Sequence, residues 1–156
     1  MSRVLAHGTA IKVGDTGLIF VGPSGSGKSS LALQTLFSAR LDGQFAALVS
    51  DDQVFVEAVN GEVRASAPAT ISGMIELRGS GIGRVRSIPE ARLHHAVRLV
   101  EVHAENRIPE GNQVWRAEGG ITLPMVFLDR TVRDPYPWLE ALIDGFPVTP
   151  SPRQGE

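Results

Sequence analysis

The decisive stretch of this chain is Gly22-Pro23-Ser24-Gly25-Ser26-Gly27-Lys28-Ser29, a full match to the pattern G-x-x-x-x-G-K-[ST]. Its glycines allow the chain to wrap tightly, so that successive backbone N–H groups can point at one anion. Lys28 adds a positive charge near the β- and γ-phosphates of a nucleotide, and the Ser29 hydroxyl can ligate Mg²⁺. We therefore predict that residues 22–30, which end with Ser30 in the positive first turn of a helix, bind nucleotide phosphates.

The flanks of this loop favour the same interpretation. Leu18–Val21 is an apolar run typical of a buried strand, and Leu33, Leu36 and Phe37 share one face of a helix that follows. The alternative is a Gly/Ser-rich turn that matches the pattern by accident. A strand before the loop and a helix after it make that alternative the weaker one.

Length and composition limit the class of protein. The chain has 156 residues, a formal net charge of −2 and no cysteine. We expect a single core with neither disulfides nor thiolate metal sites, and no nucleic-acid partner. The first residues contain no long apolar segment, and no apolar run reaches membrane-spanning length, so we expect no membrane association and a cytoplasmic location.

The order of patterns predicts an α/β domain with more strand than helix. Val4–Val13 is predicted to be one strand, which the turn 14–17 joins to the strand before the loop as an antiparallel hairpin. We predict a domain over 1–146 and a frayed tail over 147–156. The other predicted elements are a helix over 28–39, a strand over 45–49, a hairpin around Asn60-Gly61, a short helix over 89–95, a strand over 97–102, an irregular loop over 105–120, a strand over 121–128 that Pro124 interrupts or edges, and a helix over 135–143.

Two aspartates follow the predicted strand 45–49. Ligands of open α/β sheets bind where strands end, so a metal-binding or proton-accepting carboxylate is expected there. Asp51 and Asp52 are adjacent and should point to opposite sides of an extended chain. One of them should face the phosphates, and the spacing leaves open which one. The alternative is a solvent-facing acidic turn.

Glu76 and Arg78 form the next charged pair, beside a glycine-rich bend. Glu76 together with the Ser29 hydroxyl would suit Mg²⁺, and Arg78 could neutralise charge in a transition state. A surface ion pair between Glu76 and Arg78 is the equally weighted alternative. His94, His95 and His103 are interpreted as ordinary residues, whereas His7 could either pack or reach the phosphate end of the sheet; these four are the histidines of the chain.

The order of these motifs resembles the catalytic domain of the HPr kinase/phosphorylase family. The resemblance rests on His7-Gly8, on the loop 22–29, on Leu48-Val49-Ser50-Asp51-Asp52 and above all on Ile75-Glu76-Leu77-Arg78-Gly79-Ser80-Gly81-Ile82. It covers roughly residues 4–128, and it corresponds to a short form that carries the catalytic domain only. It implies a P-loop kinase fold of the HPr kinase/phosphoenolpyruvate carboxykinase type.

The resemblance also implies a chemistry. ATP would bind at residues 22–29, and Ser29 and Glu76 would ligate Mg²⁺, with Asp51 as a further candidate ligand. Asp52 would be the base toward an acceptor serine and the acid in the reverse reaction, while His7 and Lys28 would assist at the phosphates; the Arg78 guanidinium stays a catalytic candidate on its charge alone. The acceptor would be HPr, the small phosphocarrier of the bacterial sugar phosphotransferase system, and the assembly would be a homo-oligomer, a hexamer in this family.

The late part of the chain departs from the family pattern. The family's late catalytic arginine and its glycine/arginine-rich loop have no clean match, and Arg107 and Arg116 are nearby candidates only. Since that loop is tied to dephosphorylation, the reverse activity stays open while a serine kinase is expected. The alternative is a nucleotide-sensing regulatory module that binds HPr or a two-component sensor kinase with little or no turnover.

Overall fold

The computed structural model describes residues 3–102 and 113–148. Its helices are α1 (Lys28–Leu41) and α2 (Pro135–Leu142). Its strands are β1 (Val4–His7), β2 (Thr9–Val13), β3 (Thr16–Val21), β4 (Ala46–Ser50), β5 (Gln53–Val59), β6 (Glu62–Ser66), β7 (Met74–Leu77), β8 (Gly81–Arg84), β9 (Glu90–Leu93), β10 (His95–Val100), β11 (Val114–Arg116) and β12 (Thr122–Asp129). Within these described ranges, no helix is both long and apolar enough to cross a membrane.

A six-stranded mixed sheet runs through the centre of the fold, in the order β11-β12-β10-β3-β2-β4. β3 pairs antiparallel with β2 and parallel with β10, and β10 pairs parallel with β12. The predicted antiparallel hairpin before the P-loop is therefore confirmed. Because β3, β10 and β12 run in the same direction, the loops that follow them open onto one edge of the sheet.

Both faces of this sheet are covered, which explains why β3 is apolar at successive positions. Leu18 and Phe20 belong to a core shared with α1 and α2. Ile19 and Val21 point the other way, into a second core beneath a four-stranded sheet of order β1-β5-β6-β9. The P-loop thus follows a strand that is packed on both faces, so the first residues of the loop are held rigidly.

The strand predicted over Val4–Val13 is two strands in two sheets. β1 pairs with β5, whereas β2 pairs with β3 and β4, and the chain crosses over at Gly8. The Gly8 N–H donates to the carbonyl oxygen of Asp52 at 3.0 Å. A Cβ at Gly8 would lie 2.8 Å from the carbonyl oxygen of Phe20, so only glycine allows this approach. The crossover ties the end of β1 to the segment after β4.

The short helix predicted over Pro89–His95 is wrong. Residues Glu90–Leu93 form β9, which pairs with β6, and His95 begins β10. Ala91 and Leu93 are buried while Glu90 and Arg92 are exposed, which is the alternation of a half-buried strand. Pairing with a strand distant in sequence overrides the local helix signal of a proline followed by a glutamate.

The last part of the chain is more regular than predicted. The irregular loop predicted over 105–120 contains β11, which pairs antiparallel with β12, while residues 105–112 lie outside the described residues. The predicted strand 121–128 is confirmed as β12, and it continues through Pro124 without interruption. Val148 exchanges hydrogen bonds with the β2–β3 turn. Residues 149–156 lie outside the described residues, and the division at 146 stays a prediction.

Candidate active site

A cleft of about 440 Å³ lies at the edge of the sheet onto which the P-loop opens. Four separate parts of the chain form its walls. The lining residues are His7, Ser24, Gly25, Gly27, Lys28, Ser29, Ser30, Asp52, Glu76 and Arg78. Most of the residues that the sequence singles out for chemistry are therefore brought together. Gly22, Pro23 and Ser26 belong to the loop itself, and Asp51 lies just behind the wall.

The loop is wrapped around the ammonium of its own lysine. Lys28 is buried, and its Nζ donates to the carbonyl oxygens of Gly22 and Pro23 at 3.0 Å each. Burial lowers the pKa of Lys28 from its ordinary value, while the carboxylates of Asp52 and Asp51 act in the opposite direction. The buried Ser26 hydroxyl has no hydrogen-bond partner among the described residues. An anion in the loop would offer partners to both groups.

Asp51 is a buried carboxylate that three donors hold in place. Its Oδ1 accepts from the Thr9 hydroxyl at 2.8 Å and from the Ser29 hydroxyl at 2.6 Å. Its Oδ2 accepts from the backbone N–H of Glu76 at 2.9 Å. These bonds connect β2, the start of α1 and β7, so one side chain fixes the positions of the P-loop and of the segment that carries Glu76 and Arg78.

This arrangement suits a magnesium ion bound with phosphate. Because the Ser29 hydroxyl donates its proton to Asp51, its lone pairs are free to face the cleft, where the Glu76 side chain also lies. Mg²⁺ is usually held by one or two protein oxygens together with phosphates and waters. Among the described residues, no group of three or more His, Cys, Asp or Glu side chains is arranged for a metal. The contacts of Asp51 favour an indirect role, and direct ligation by Asp51 stays a prediction.

Asp52 and His7 form the opposite wall of the cleft. His7 Nδ1 lies 3.2 Å from Asp52 Oδ1, and both side chains are about half exposed. Asp52 has φ 69°, a left-handed conformation that few residues other than glycine adopt. Asp52 is exposed while Asp51 is buried, and the left-handed backbone at Asp52, not the extended chain assumed from the sequence, accompanies this difference. Of the two aspartates, Asp52 is the one that borders the cleft.

Arg78 lies over the tip of the P-loop. A Cβ built on Gly25, whose φ is +78°, would lie 2.5 Å from Arg78 Nη1, so glycine is required there for the guanidinium to approach. In the described part of the chain no ion pair joins Arg78 to Glu76, and both side chains line the cleft instead. The alternative of a surface ion pair between them is therefore not favoured.

The histidines other than His7 lie away from the cleft, or outside the described residues in the case of His103. His94 Nδ1 accepts from the Gly17 N–H at 3.0 Å, which fixes β9 against β3. Burial lowers the pKa of His94 and of His95, which favours the neutral imidazole and suits structural roles.

Two residues at the site escaped the sequence patterns. Thr9 holds Asp51, and Arg130, at the end of β12, donates from Nη2 to the carbonyl oxygen of Gly25 at 3.4 Å. A buried threonine directly after His7-Gly8 is a weak signal, and an arginine after a strand is weaker still. Arg116 lies in the edge strand β11, and Arg107 lies outside the described residues.

A second depression, of about 300 Å³, adjoins the cleft. Asp52 and Glu76 border both cavities. The rest of the second lining combines Asp51 and Gln53 with apolar side chains, which include Ile71, Met74 and the strongly exposed Ile82. A group resting there would adjoin Asp52 and Glu76, and no residue of the loop 22–30 belongs to this lining.

Comparisons with known proteins agree on one family. The family model described as "HPr Serine kinase C-terminal domain" matches residues 1–107. An HPr kinase/phosphorylase of Mycoplasmopsis pulmonis is 31% identical over 76% of this chain and 39% of its own length. Another, from Aromatoleum aromaticum, is 36% identical over 69% of this chain and 33% of its own length, so the chain spans well under half of these relatives.

A solved structure adds evidence on the fold alone. The Hpr(Ser) kinase/phosphatase from Coxiella burnetii is 20% identical, with a TM-score of 0.71 over 89% of this chain and 93% of the other.

The segment of this chain that matches the family model contains the P-loop, both aspartates, Glu76 and Arg78. The chain therefore belongs to the HPr serine kinase C-terminal domain family.

Proposed function

We propose that this chain is an ATP- and Mg²⁺-dependent kinase that phosphorylates a serine of HPr or of an HPr-like phosphocarrier. The observation that carries the proposal is the position of Asp52, which faces the P-loop across one cleft and also borders a second, adjoining depression. A phosphoryl transfer needs a phosphate cradle and a carboxylate that orients or deprotonates the acceptor hydroxyl. The names of the relatives supply the acceptor.

The loop 22–30 would hold the phosphates of ATP. Ser29 and Glu76 would hold Mg²⁺, which when bound neutralises charge on the β- and γ-phosphates. Asp51 would orient the Ser29 hydroxyl through the 2.6 Å hydrogen bond. Lys28 would exchange the carbonyl oxygens of Gly22 and Pro23 for phosphate oxygens, and Arg78 would add a second positive charge beside Gly25.

Asp52 would act as the base. The acceptor serine oxygen attacks the γ-phosphorus in line with the bond to the leaving β,γ-bridging oxygen, that bond breaks, and the serine proton passes to Asp52. His7, 3.2 Å from Asp52 Oδ1, would fix the direction of that carboxylate. The reverse reaction, transfer from phosphoserine to inorganic phosphate, would use protonated Asp52 as the acid, and we propose it as a second activity of the same site.

Partners and setting are proposed on the same basis. A homo-oligomer, hexameric by resemblance, and a cytoplasmic location stay predictions. Sedimentation of the purified chain over a range of concentrations measures the oligomeric state. A contact with a two-component sensor kinase belongs to the alternative function, in which the chain binds nucleotide and HPr without turnover.

Asp52→Asn tests the proposal. Wild-type protein with folded HPr, ATP and Mg²⁺ should give phosphoserine on HPr, detected by mass spectrometry. Asp52→Asn keeps the size of the side chain and removes the base, so transfer should fall by at least a hundredfold, about the contribution of a general base, while ATP affinity is retained. Asp15→Asn, in the β2–β3 turn and paired with Lys12, is the matched control and should keep full activity.

The outcomes separate the two functions. Wild-type protein that binds ATP and HPr without transfer would favour the regulatory module. Wild-type activity in Asp52→Asn would refute the assigned base. Repeating the assay on phosphorylated HPr with and without inorganic phosphate measures the reverse reaction.

A further inference from the structure

Arg130 is the residue on which the further inference rests. It follows β12 directly, and its backbone N–H donates to the carbonyl oxygen of Val100 at 2.9 Å, at the end of β10. Its side chain bridges two other segments. Nη1 contacts Glu101 Oε1 at 3.0 Å, and Nη2 donates to the Gly25 carbonyl oxygen at 3.4 Å.

Gly25 is therefore contacted by two arginines that come from different elements. Arg78 follows β7 and lines the phosphate cleft, whereas Arg130 follows β12 and is not part of that lining. The loop that follows β12 is also held in shape, since Asp129 Oδ1 accepts from both the backbone N–H and the hydroxyl of Thr131 at 2.8 Å. These two bonds lower the pKa of Asp129. The backbone that carries Arg130 is thus held in a fixed turn.

The sheet order indicates which part of a nucleotide lies near Arg130. The P-loop follows β3, and Asp51 and Asp52 follow β4 on one side of it. β10 and β12 lie on the other side of β3 and run parallel to it, so their last residues reach the same edge. With the terminal phosphates between the P-loop, Asp52 and Glu76, the ends of β10 and β12 lie on the other side of the P-loop, where a ribose and base would have room to extend.

We propose that Arg130 binds the nucleoside part of the nucleotide and so distinguishes ATP from a bare polyphosphate. This inference rests on the proposed function, because it needs a nucleotide in the P-loop. The planar guanidinium can cover the face of a base or donate to ribose oxygens. Glu101 holds Arg130 at the edge of the cleft before the nucleotide arrives.

The Arg130–Glu101 pair is suited to exchange partners. Both side chains are substantially exposed, at 41% and 59%, and exposed ion pairs contribute little to stability. The bond to Gly25 is long at 3.4 Å, so it also constrains the guanidinium weakly. Arg130 can therefore move onto a ligand without loss of fold stability.

The test compares two ligands on three proteins. Titration calorimetry measures the affinity for ATP with Mg²⁺, and competition against ATP measures the affinity for tripolyphosphate with Mg²⁺. The proteins are wild type, Arg130→Gln and Arg133→Gln. The last makes the same change of charge three positions further on, beside α1 and away from the cleft. We expect Arg130→Gln to weaken ATP binding about tenfold and to leave tripolyphosphate binding unchanged.

The possible results lead to different conclusions. Equal losses of affinity for ATP and for tripolyphosphate in Arg130→Gln would mean that Arg130 only supports the P-loop. Unchanged affinity for ATP would mean that Arg130 has no part in binding. Either result overturns the inference and leaves the kinase proposal standing. Failure of the wild type to bind ATP would overturn both. Urea unfolding of each variant without ligand checks that a loss of affinity is not a loss of fold.

Discussion

At the scale of the residue, the neighbouring aspartates after β4 have different surroundings and therefore different uses. Asp51 is buried and accepts three hydrogen bonds, so its carboxylate is committed to holding the site together. Asp52 is exposed to the cleft and contacts only the His7 side chain among the described ion pairs. A carboxylate that accepts a proton from a substrate needs to be accessible to that substrate. A carboxylate that orients a hydroxyl group needs instead to be buried and held by hydrogen bonds.

Thr9→Val should destabilise the protein. The Thr9 hydroxyl is fully buried and donates to Asp51, so the isosteric change removes one bond to a buried charge and leaves the packing nearly intact. We expect a loss of about 1–3 kcal/mol in the free energy of unfolding, measured by urea denaturation. Thr122→Val, on an exposed position of β12, is the control and should change little. Equal effects of the two changes would contradict the role given to Thr9.

The residues of the site differ in how far the sequence could predict them. The P-loop is a local pattern, so its residues and its place between a strand and a helix could be predicted. Thr9 lies 42 positions from Asp51, and Arg130 lies 105 positions from Gly25. Contacts of this kind depend on which strands become neighbours, and no local pattern specifies that.

At the scale of the element, the Tyr136 side chain links α2 to the end of α1. The Tyr136 hydroxyl donates to Asp42 Oδ2 at 2.8 Å, at the residue that caps α1. The Tyr136 ring meets Phe146 edge-on, with 5.9 Å between ring centroids. The ring fills the core under the helices while the hydroxyl finds a polar partner at its rim.

This contact predicts a pH dependence of stability. Burial, and then Asp42, raise the pKa of Tyr136 above the ordinary value of 10.0. Because the folded pKa is the higher one, the stabilisation is fully present below pH 10 and is lost as pH rises above it. Tyr136 is the single tyrosine of the chain, so phenolate absorbance reports on it alone.

We expect the folded protein to show no phenolate absorbance at pH values where the urea-unfolded chain is already ionised. Tyr136→Phe should lower the free energy of unfolding at neutral pH by about 1 kcal/mol and should remove the decline above pH 10. A folded protein in which Tyr136 ionises near pH 10 would contradict the contact with Asp42.

Elements were predicted well where their signal is local. Helix α1, the hairpin at Asn60-Gly61 and α2 follow from periodicity and turn residues. β9 was predicted as a helix, because its pairing with β6 is distant in sequence. The Val4–Val13 strand was not divided, because the need for glycine at Gly8 arises from the approach of Phe20 and Asp52, which a single strand pattern does not contain.

At the scale of the whole molecule, the cleft joins segments that are far apart in the chain, so its ligand should stabilise the entire fold. ATP with Mg²⁺ at about a hundred times its dissociation constant should raise the free energy of unfolding by about 2.7 kcal/mol. Urea denaturation with and without ligand measures this difference. Lys28→Ala removes the buried ammonium and should abolish the effect, whereas Lys12→Ala, which breaks only the pair with Asp15, should preserve it. An undiminished ligand effect in Lys28→Ala would contradict binding at the P-loop.

The overall architecture was predictable only because short motifs identify a family, and members of one family share a fold. The P-loop and the block around Glu76 identified the family, and the family supplied the mixed sheet. The second, four-stranded sheet that covers the opposite face has no motif of its own. Of its strands, only β5 and β6 are recognisable from a local hairpin signal, and the assembly of all four depends on pairings between distant segments.

The neighbouring cavities that share Asp52 and Glu76 have a consequence for the sequence of events in a catalytic cycle. In the proposed reaction, donor and acceptor would have separate approaches to one carboxylate, so neither would have to enter through the space that the other fills. The two substrates would then be able to arrive in either order. A phosphorylated carrier would also be able to depart while spent nucleotide is still bound, and turnover would not have to wait for the slower of the two products.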